Sequence, residues 1–238
     1  MKKPQGTTLN HLRQELRDLR NPAKAELLSR FFKTGSGEYG EGDMFLGIPV
    51  PLQRGISREY RELHLDALQK LLSSRIHEER LVALLILITK YKTTDNAGKG
   101  EVVDFYLKNT SRVNNWDLVD ISAANILGDY LLDKDRTILC HLAESDTLWE
   151  RRIAIMATFA FIRRNDFDDT LHISGLLLKD THDLIHKAVG WMLREIGKRD
   201  RKTEEQFLRV HYRNMPRTML RYAIERFDEK TRNAYLKK

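Results

Sequence analysis

The sequence predicts an all-helical fold built from a row of similar helix pairs. Helix breakers are scarce, with only 13 Gly and 5 Pro in 238 residues, and Leu, Ala, Glu, Lys and Arg are abundant. Apolar residues recur at the spacing of one helix face, and no segment alternates apolar and polar residues for long enough to indicate a strand. The hydrophobic share of 41% and the charged share of 32% are typical of a globular chain.

The helices can be placed in order along the chain. A first pair is expected at residues 7–20 and 22–33, with Asn21 and Pro22 marking the break between them. The longest irregular stretch follows at residues 34–54. Further helices are expected near residues 57–73, 77–92, 97–109, 113–132, 135–144, 148–164, 167–179, 183–199, 201–213, 216–227 and 229–236.

Two segments show the helical pattern most clearly. Residues 80–91, RLVALLILITKY, are apolar nearly all round, which predicts a buried inner helix. Residues 184–198 separate an apolar side from a basic side that carries Lys187, Arg194 and Lys198.

Small residues recur at a regular interval, each expected early in the second helix of a pair. These residues are Ala83, Ala154, Ala188 and Ala223. Consecutive members are 71, 34 and 35 residues apart. The first interval is about twice the others, and Val119 lies near the position that it skips. Helix pairs of about 35 residues are typical of a solenoid, in which neighbouring pairs bury one continuous core. The Trp, Gly, Tyr and Pro pattern of tetratricopeptide repeats is missing, which favours HEAT-like repeats. We therefore expect one domain over residues 1–238, a superhelical solenoid of antiparallel helix pairs whose concave face suits a long partner such as duplex DNA.

Several function classes are disfavoured by the composition. The chain has no apolar run of about 18 residues that would span a membrane. The N-terminal residues MKKPQGTTLN lack the apolar segment of a secretory signal. Cys140 is the only cysteine, so no disulfide can form within the chain. These features indicate a reducing compartment, and we expect a cytoplasmic protein.

The net charge of +7 and the pI of about 9.4 have two interpretations. One is ordinary solubility, and the other is a polyanionic partner such as nucleic acid. Charge alone does not separate them.

Two motifs carry little functional information. The segment GSGEYG at residues 35–40 matches a dinucleotide-binding pattern, but a helix rather than a strand precedes it, so we interpret it as a loop. His182 and His186 have zinc-site spacing, but the intervening residues are DLI and no third ligand is evident. We predict a packed or solvated histidine pair and no metal site.

The segment VNNWDLVD at residues 113–120 is more informative. Trp116 and Asp120 are four residues apart and therefore share a helix face, whereas Asp117 points elsewhere and is expected to cap the helix or make a polar contact. An acid beside a tryptophan needs an explanation, because burial of an unpaired carboxylate is costly.

Two further residues follow at intervals of about one repeat. Arg152 lies 36 residues after Trp116, and Trp191 lies 39 residues after Arg152. These residues are therefore expected on equivalent inner helices that face one concavity. Core tryptophans with unrelated surface charges would give the same spacing, so spacing alone leaves both interpretations open.

The combination of these segments resembles a known family. WDLVD (116–120), LWERRIAI (148–155) and KAVGWMLREIGK (187–198) are similar to diagnostic segments of the AlkD family of HEAT-like DNA glycosylases. FLGIPVP (45–51) is similar to that family's Gly-Pro loop. The resemblance runs from about residue 20 to the C-terminus, with the segments in the same order.

The resemblance implies a role for each matching residue. Asp120 corresponds to the catalytic carboxylate, and Trp116 and Trp191 correspond to the two indoles that flank the lesion nucleotide. Phe31 stands where the best-known members have tyrosine. Any role of the tyrosine hydroxyl is therefore absent in this chain or is taken by another residue. The positively charged residues expected near the DNA backbone are Arg152, Arg194, Arg54 and Lys187.

The resemblance also implies an activity. It is hydrolysis of the N-glycosidic bond of N3- or N7-alkylated purines in duplex DNA, with the lesion left stacked in the helix. No lysine stands out as a nucleophile, so we expect a monofunctional glycosylase, active as a monomer, without a metal or organic cofactor. Two alternatives stay open, namely a catalytically silent HEAT-like DNA-binding module and a protein-interaction scaffold.

Overall fold

The computed structural model describes residues 8–237, and in that range the chain is helical without any named strand. The predicted all-α class is therefore confirmed. Residues 1–7, which include the predicted start of the first helix and most of the segment MKKPQGTTLN, lie outside the described range, as does residue 238. The chain forms two compact units, one ending at Ser122 and the other beginning at Ala123.

The first unit begins with two short helices and is built around one long helix. Thr8 caps the first helix and Asn21 caps the second, each through a side-chain oxygen that accepts a backbone N–H. The helices are α1 (Leu9–Asp18), α2 (Pro22–Phe31), α3 (Val50–Glu59), α4 (Leu65–Leu72), α5 (His77–Thr93), α6 (Asn96–Lys108) and α7 (Trp116–Ser122), with a 3-10 turn at Thr110–Arg112.

The predicted helix at residues 57–73 is wrong, because the chain forms two helices there, α3 and α4. The expected irregular stretch at residues 34–54 is also too long. It ends at Pro49, the N-cap of α3, and Pro51 lies in the first turn of that helix. Proline is favoured there because its fixed φ suits a helix and its missing N–H is not needed.

Helix α5 is the centre of the first unit. Every residue from Leu81 to Ile88 is buried, and the helix packs against α1, α3, α4, α6 and α7. The predicted buried inner helix is confirmed, since a helix that is apolar on all sides needs neighbours on all sides.

The second unit begins with a π-helical turn at Ala124–Gly128. The helix predicted over residues 113–132 is therefore interrupted, and the one predicted over residues 148–164 is interrupted at Thr158. The remaining helices are α8 (Thr137–Ala143), α9 (Leu148–Ala157), α10 (Phe159–Ile162), α11 (Asp168–Leu176), α12 (Asp183–Gly197), α13 (Arg201–His211), α14 (Arg217–Ala223) and α15 (Glu229–Leu236), with 3-10 turns at Leu177–Lys179 and Ile224–Arg226.

Helix α12 is the centre of the second unit and packs against α9, α11, α13 and α14. A Cβ atom added at Gly190 would lie 2.5 Å from the carbonyl oxygen of Met219, so the backbones of α12 and α14 touch there. The recurring small residues are all fully buried, as close helix packing requires, although Ala223 is the last residue of its helix rather than an early one.

Among residues 8–237, no helix combines the length and the apolar character that a membrane crossing would need.

Candidate functional site

The N-terminus of α7 carries two of the predicted site residues. The buried Asn115 precedes the helix, and its side-chain oxygen accepts the N–H of Trp116 at 2.8 Å. Trp116 and Asp120 are both half-buried and lie one turn apart on this helix, while Leu118 and Val119 face the core. Side chains four residues apart on a helix share a face, so α7 places the indole and the carboxylate on the same face.

An aromatic cluster, made of Phe31, Phe32, Phe45 and Trp116, forms around the indole. Trp116 stacks on Phe32 with ring centroids 5.2 Å apart and planes 13° apart. Phe31 approaches the indole edge-on at 5.9 Å, and its side chain is 63% exposed. Phe32 also stacks on Phe45 at 5.0 Å. Offset and edge-to-face contacts of this kind hold the rings in defined positions.

A buried ion network lies beside the cluster and consists of Asp43, His77, Arg80 and Asp117. His77 bridges two acids, with Nδ1 3.1 Å from Oδ2 of Asp43 and Nε2 2.8 Å from Oδ2 of Asp117. Arg80 lies 2.6 Å from the other oxygen of Asp43. The network links the loop that carries Asp43, the start of α5 and the start of α7. The prediction that Asp117 makes a polar contact is confirmed.

Hydrogen bonds within the network favour the charged forms of His77 and Asp43. Burial opposes protonation of His77, but its hydrogen bonds to Asp117 and Asp43 outweigh burial and raise its pKa above the usual value. Burial likewise opposes ionisation of Asp43, and the hydrogen bond from His77 and the charge of Arg80 outweigh it and lower the pKa of Asp43. Two acids and two basic side chains therefore bind one another and hold the backbone beside Trp116.

A buried polar pair lies in the core of the first unit. Tyr106 and Ser122 are fully buried, and their hydroxyl oxygens lie 3.0 Å apart. Burial raises the pKa of Tyr106, the hydrogen bond with Ser122 lowers it, and the negative charge of Asp120 raises it further.

The Gly-Pro loop is held by a buried carboxylate. Glu78, in the first turn of α5, accepts the N–H groups of Leu46, Gly47 and Ile48 at 2.8–3.3 Å. Gly47 has a φ of +83°, and a Cβ atom there would lie 2.2 Å from the carbonyl oxygen of Asn21. Only glycine fits this position without strain.

On the second unit, Arg152 and Trp191 have different surroundings. Arg152 on α9 is only 5% exposed, and its Nη1 donates to the carbonyl oxygen of Leu184 at 2.6 Å. The guanidinium of Arg152 therefore contacts the start of α12. A contact between Arg152 and the DNA backbone stays a prediction. Trp191 is half-buried, and its Nε1 donates to Oε1 of Glu195 at 3.1 Å.

Two predicted cations share one side of α12 with Trp191. Lys187, Trp191 and Arg194 follow at intervals of four and three residues, and residues at these intervals form a continuous stripe. Lys187 pairs with Asp183 at 2.7 Å, and Arg194 pairs with Glu225. In the first unit, Arg54 on α3 is exposed. The expectation that Trp116, Asp120, Arg152 and Trp191 line one cleft stays a prediction.

The segment GSGEYG is a loop, as expected. The N–H of Gly35 donates to Glu38 and the N–H of Gly37 donates to Glu41, both at 2.9 Å. These amides, which a phosphate would need, are therefore occupied by carboxylates of the loop itself.

The histidine pair has structural roles. Nδ1 of His182 accepts the N–H of Leu184 and caps α12, and Nε2 of His186 lies 2.5 Å from the carbonyl oxygen of Asp180. In the part of the chain that the structure describes, no group of three His, Cys, Asp or Glu side chains could hold a metal ion.

A comparison with family models identifies one family. The family model described as "DNA alkylation repair enzyme" matches residues 12–227. A solved structure described as a predicted DNA alkylation repair enzyme from Enterococcus faecalis is similar with a TM-score of 0.70 and 17% sequence identity, covering 88% of this chain and 97% of that chain. This likeness shows the fold. A comparison with curated proteins gives no match.

Proposed function

Because the chain belongs to the DNA alkylation repair enzyme family, we propose that it is a DNA glycosylase that hydrolyses the N-glycosidic bond of N3- or N7-alkylated purines. Membership of the family assigns the protein a role in the repair of alkylated DNA and DNA as its substrate. The proposal adds the bond that is broken, the duplex form of the substrate and the residues that act on it.

The chemistry starts from the charge of the lesion. An N3- or N7-alkylated purine is cationic, so the base can leave as a neutral molecule without protonation by the enzyme. The electrons of the glycosidic bond pass to the purine, the sugar becomes oxocarbenium-like, and water adds to its anomeric carbon and then loses a proton. The residue that matters is therefore one that stabilises positive charge on the sugar, as in glycoside hydrolysis.

Asp120 has the properties that this step needs. Its carboxylate is half-buried and lies one turn from Trp116 on α7. A fixed charge directed at a transition state contributes about 10²–10³ in rate. The same carboxylate would position the attacking water.

Trp116 supplies a flat surface beside this acid. The indole is held by Phe32 and by the ion network around His77, so little ordering is needed when a substrate arrives. Attraction between an indole face and a cation contributes about 0.5–2 kcal/mol and would favour charged lesions over normal purines. This juxtaposition of a preorganised indole and an acid on α7 is the observation that carries the proposal.

The remaining predicted residues are proposed to contact DNA rather than to react. Trp191 would flank the lesion nucleotide, and the cations would neutralise phosphates without reading sequence. The lesion would stay stacked, and the enzyme would act as a monomer without strand cleavage. The proposed backbone contacts are Arg54, Arg152, Lys187 and Arg194.

The test is a base-release assay on methylated duplex DNA, with the freed bases separated by chromatography. The wild type should release alkylated purines, and Asp120→Asn should reduce release about 10²–10³-fold while DNA binding is retained. Asp104→Asn removes an exposed acid of α6 in the same unit and should match the wild type. Normal release by Asp120→Asn would contradict the catalytic role. DNA binding with no release by any of the three proteins would indicate a silent binding module.

A further inference from the structure

A second candidate site lies near the C-terminal end of the second unit. It is a cleft of about 480 Å³ between α12, α14 and α15. Three cations, Lys187, Arg221 and Arg232, line it together with two acids, Asp183 and Glu225. A cleft of this size that is rich in arginine is suited to an anion rather than to an apolar ligand.

Both acids of the cleft are already bound to cations. Lys187 lies 2.7 Å from Asp183, and hydrogen bonds from Lys187 and Thr218 overcome the effect of burial and lower the pKa of Asp183. Glu225 is bound by Arg194. Neither carboxylate therefore neutralises the two arginines.

Arg221 and Arg232 are the uncompensated charges. Both are exposed, one on α14 and the other on α15, and neither guanidinium forms an ion pair within residues 8–237. A guanidinium presents a rigid fork of donors that matches two oxygens of a phosphate. Two such forks that face one cleft can bind a single phosphate from two sides.

We propose that this cleft, the C-terminal phosphate cleft of Lys187, Arg221 and Arg232, binds a backbone phosphate of duplex DNA. The inference rests on the proposed function and extends it to Arg221 and Arg232. Lys187 precedes Trp191 by one turn of α12, or about 6 Å along the helix axis. That distance is about two nucleotide rises of a DNA strand. A phosphate in the cleft would therefore belong to the strand that Trp191 is proposed to contact.

The experiment measures the affinity for a fluorescent duplex over a range of salt concentrations. Arg221→Gln and Arg232→Gln should each weaken binding on the order of tenfold for any sequence. The double variant should reduce the slope of log affinity against log salt by about 0.9, the contribution of one phosphate. Arg209→Gln removes another exposed arginine, which lies on α13 outside the cleft. This variant should leave the affinity and the salt slope near the wild-type values.

Replacement by lysine separates charge from geometry. Arg221→Lys with Arg232→Lys should keep the salt slope and lose part of the affinity, because lysine retains the charge but not the fork. Thermal melting of every variant establishes that the fold is retained. A double glutamine variant that binds DNA like Arg209→Gln would overturn the inference.

Two further outcomes are distinguishable. Calorimetric titration with inorganic phosphate tests whether the cleft takes a small anion instead. Loss of inorganic phosphate binding in the double glutamine variant, with DNA binding unchanged, would overturn the DNA assignment. If the wild type releases alkylated bases but the variants bind DNA normally, only this inference fails. If the wild type neither binds DNA nor releases bases, the proposed function fails with it.

Discussion

Nε2 of His77 lies 2.8 Å from Oδ2 of Asp117, and Asp117 directly follows Trp116 in the chain. This contact joins the first turn of α5 to the first turn of α7. Because the other ring nitrogen of His77 binds Asp43, the imidazole positions the helix that carries the proposed catalytic acid.

We predict that His77→Gln destabilises the first unit by about 3–5 kcal/mol, since it leaves Asp117 without a basic partner and Asp43 with Arg80 alone. The raised pKa of His77 gives the wild type a characteristic pH dependence. A raised folded-state pKa means that this contribution is complete below about pH 6.5 and is lost as the pH rises through the folded-state value. Urea denaturation between pH 6 and 9 should show the loss in the wild type and not in His77→Gln. His64→Gln, an exposed histidine, is the control. An equal pH dependence in the two variants would contradict the assignment.

A second prediction concerns Glu204 on α13, which is 2% exposed and has one carboxyl oxygen without a hydrogen-bond partner. Burial raises its pKa to about 8. The folded state therefore holds a proton that the unfolded chain releases above about pH 4.5, and stability falls as the pH rises from there to about 8. Glu204→Gln, which is neutral at every pH, should be more stable than the wild type by about 2–4 kcal/mol at pH 8 and similar to it at pH 4.5.

Thermal or urea denaturation at both pH values measures this difference. Glu144→Gln in the same unit removes an exposed acid and should leave the pH dependence unchanged. If Glu204→Gln and the wild type lose stability in parallel between pH 5 and 8, Glu204 is ionised in the folded state and the prediction is wrong.

A third prediction compares two glycines of the first unit. Gly47→Ala should destabilise the protein by about 1–3 kcal/mol, because its φ is positive and a Cβ atom meets the backbone of Asn21. Gly55 lies inside α3 with nothing within 4 Å of an added Cβ atom. Gly55→Ala should therefore stabilise by about 0.5–1 kcal/mol. Chemical denaturation of both variants checks the opposite signs, and equal effects would show that the loop does not need glycine at Gly47.

The parts of the fold set by local pattern were predictable. The buried helix at residues 80–91 follows from its apolar run, and the shared face of Trp116 and Asp120 follows from their spacing once a helix is assumed. The split between α3 and α4 was missed, because residues 60–64, YRELH, contain no glycine or proline that would mark a break. Helical periodicity predicts that a helix is present more reliably than it predicts where the helix begins and ends.

The ion network was not predictable from any local pattern. His77 binds partners 34 and 40 residues away, and only the tertiary fold brings them together. The burial of Arg152 was missed for a related reason. Repeat spacing places a residue on a helix, but neighbouring helices decide whether its guanidinium reaches solvent or, as here, the carbonyl group of Leu184. Phe32 and Phe45 were missed because aromatic residues in a sequence usually indicate ordinary core packing.

The anchoring of the Gly-Pro loop by Glu78 divides the connection between α2 and α3 into two parts that differ in their tolerance of added length. Residues 35–38 form an exposed turn, so a short peptide tag inserted between Ser36 and Gly37 would leave the anchored part in register. An insertion between Phe45 and Pro49 would shift the three amides away from the single carboxylate that binds them. The first position therefore offers a place for a spectroscopic label close to the aromatic cluster, and the second does not.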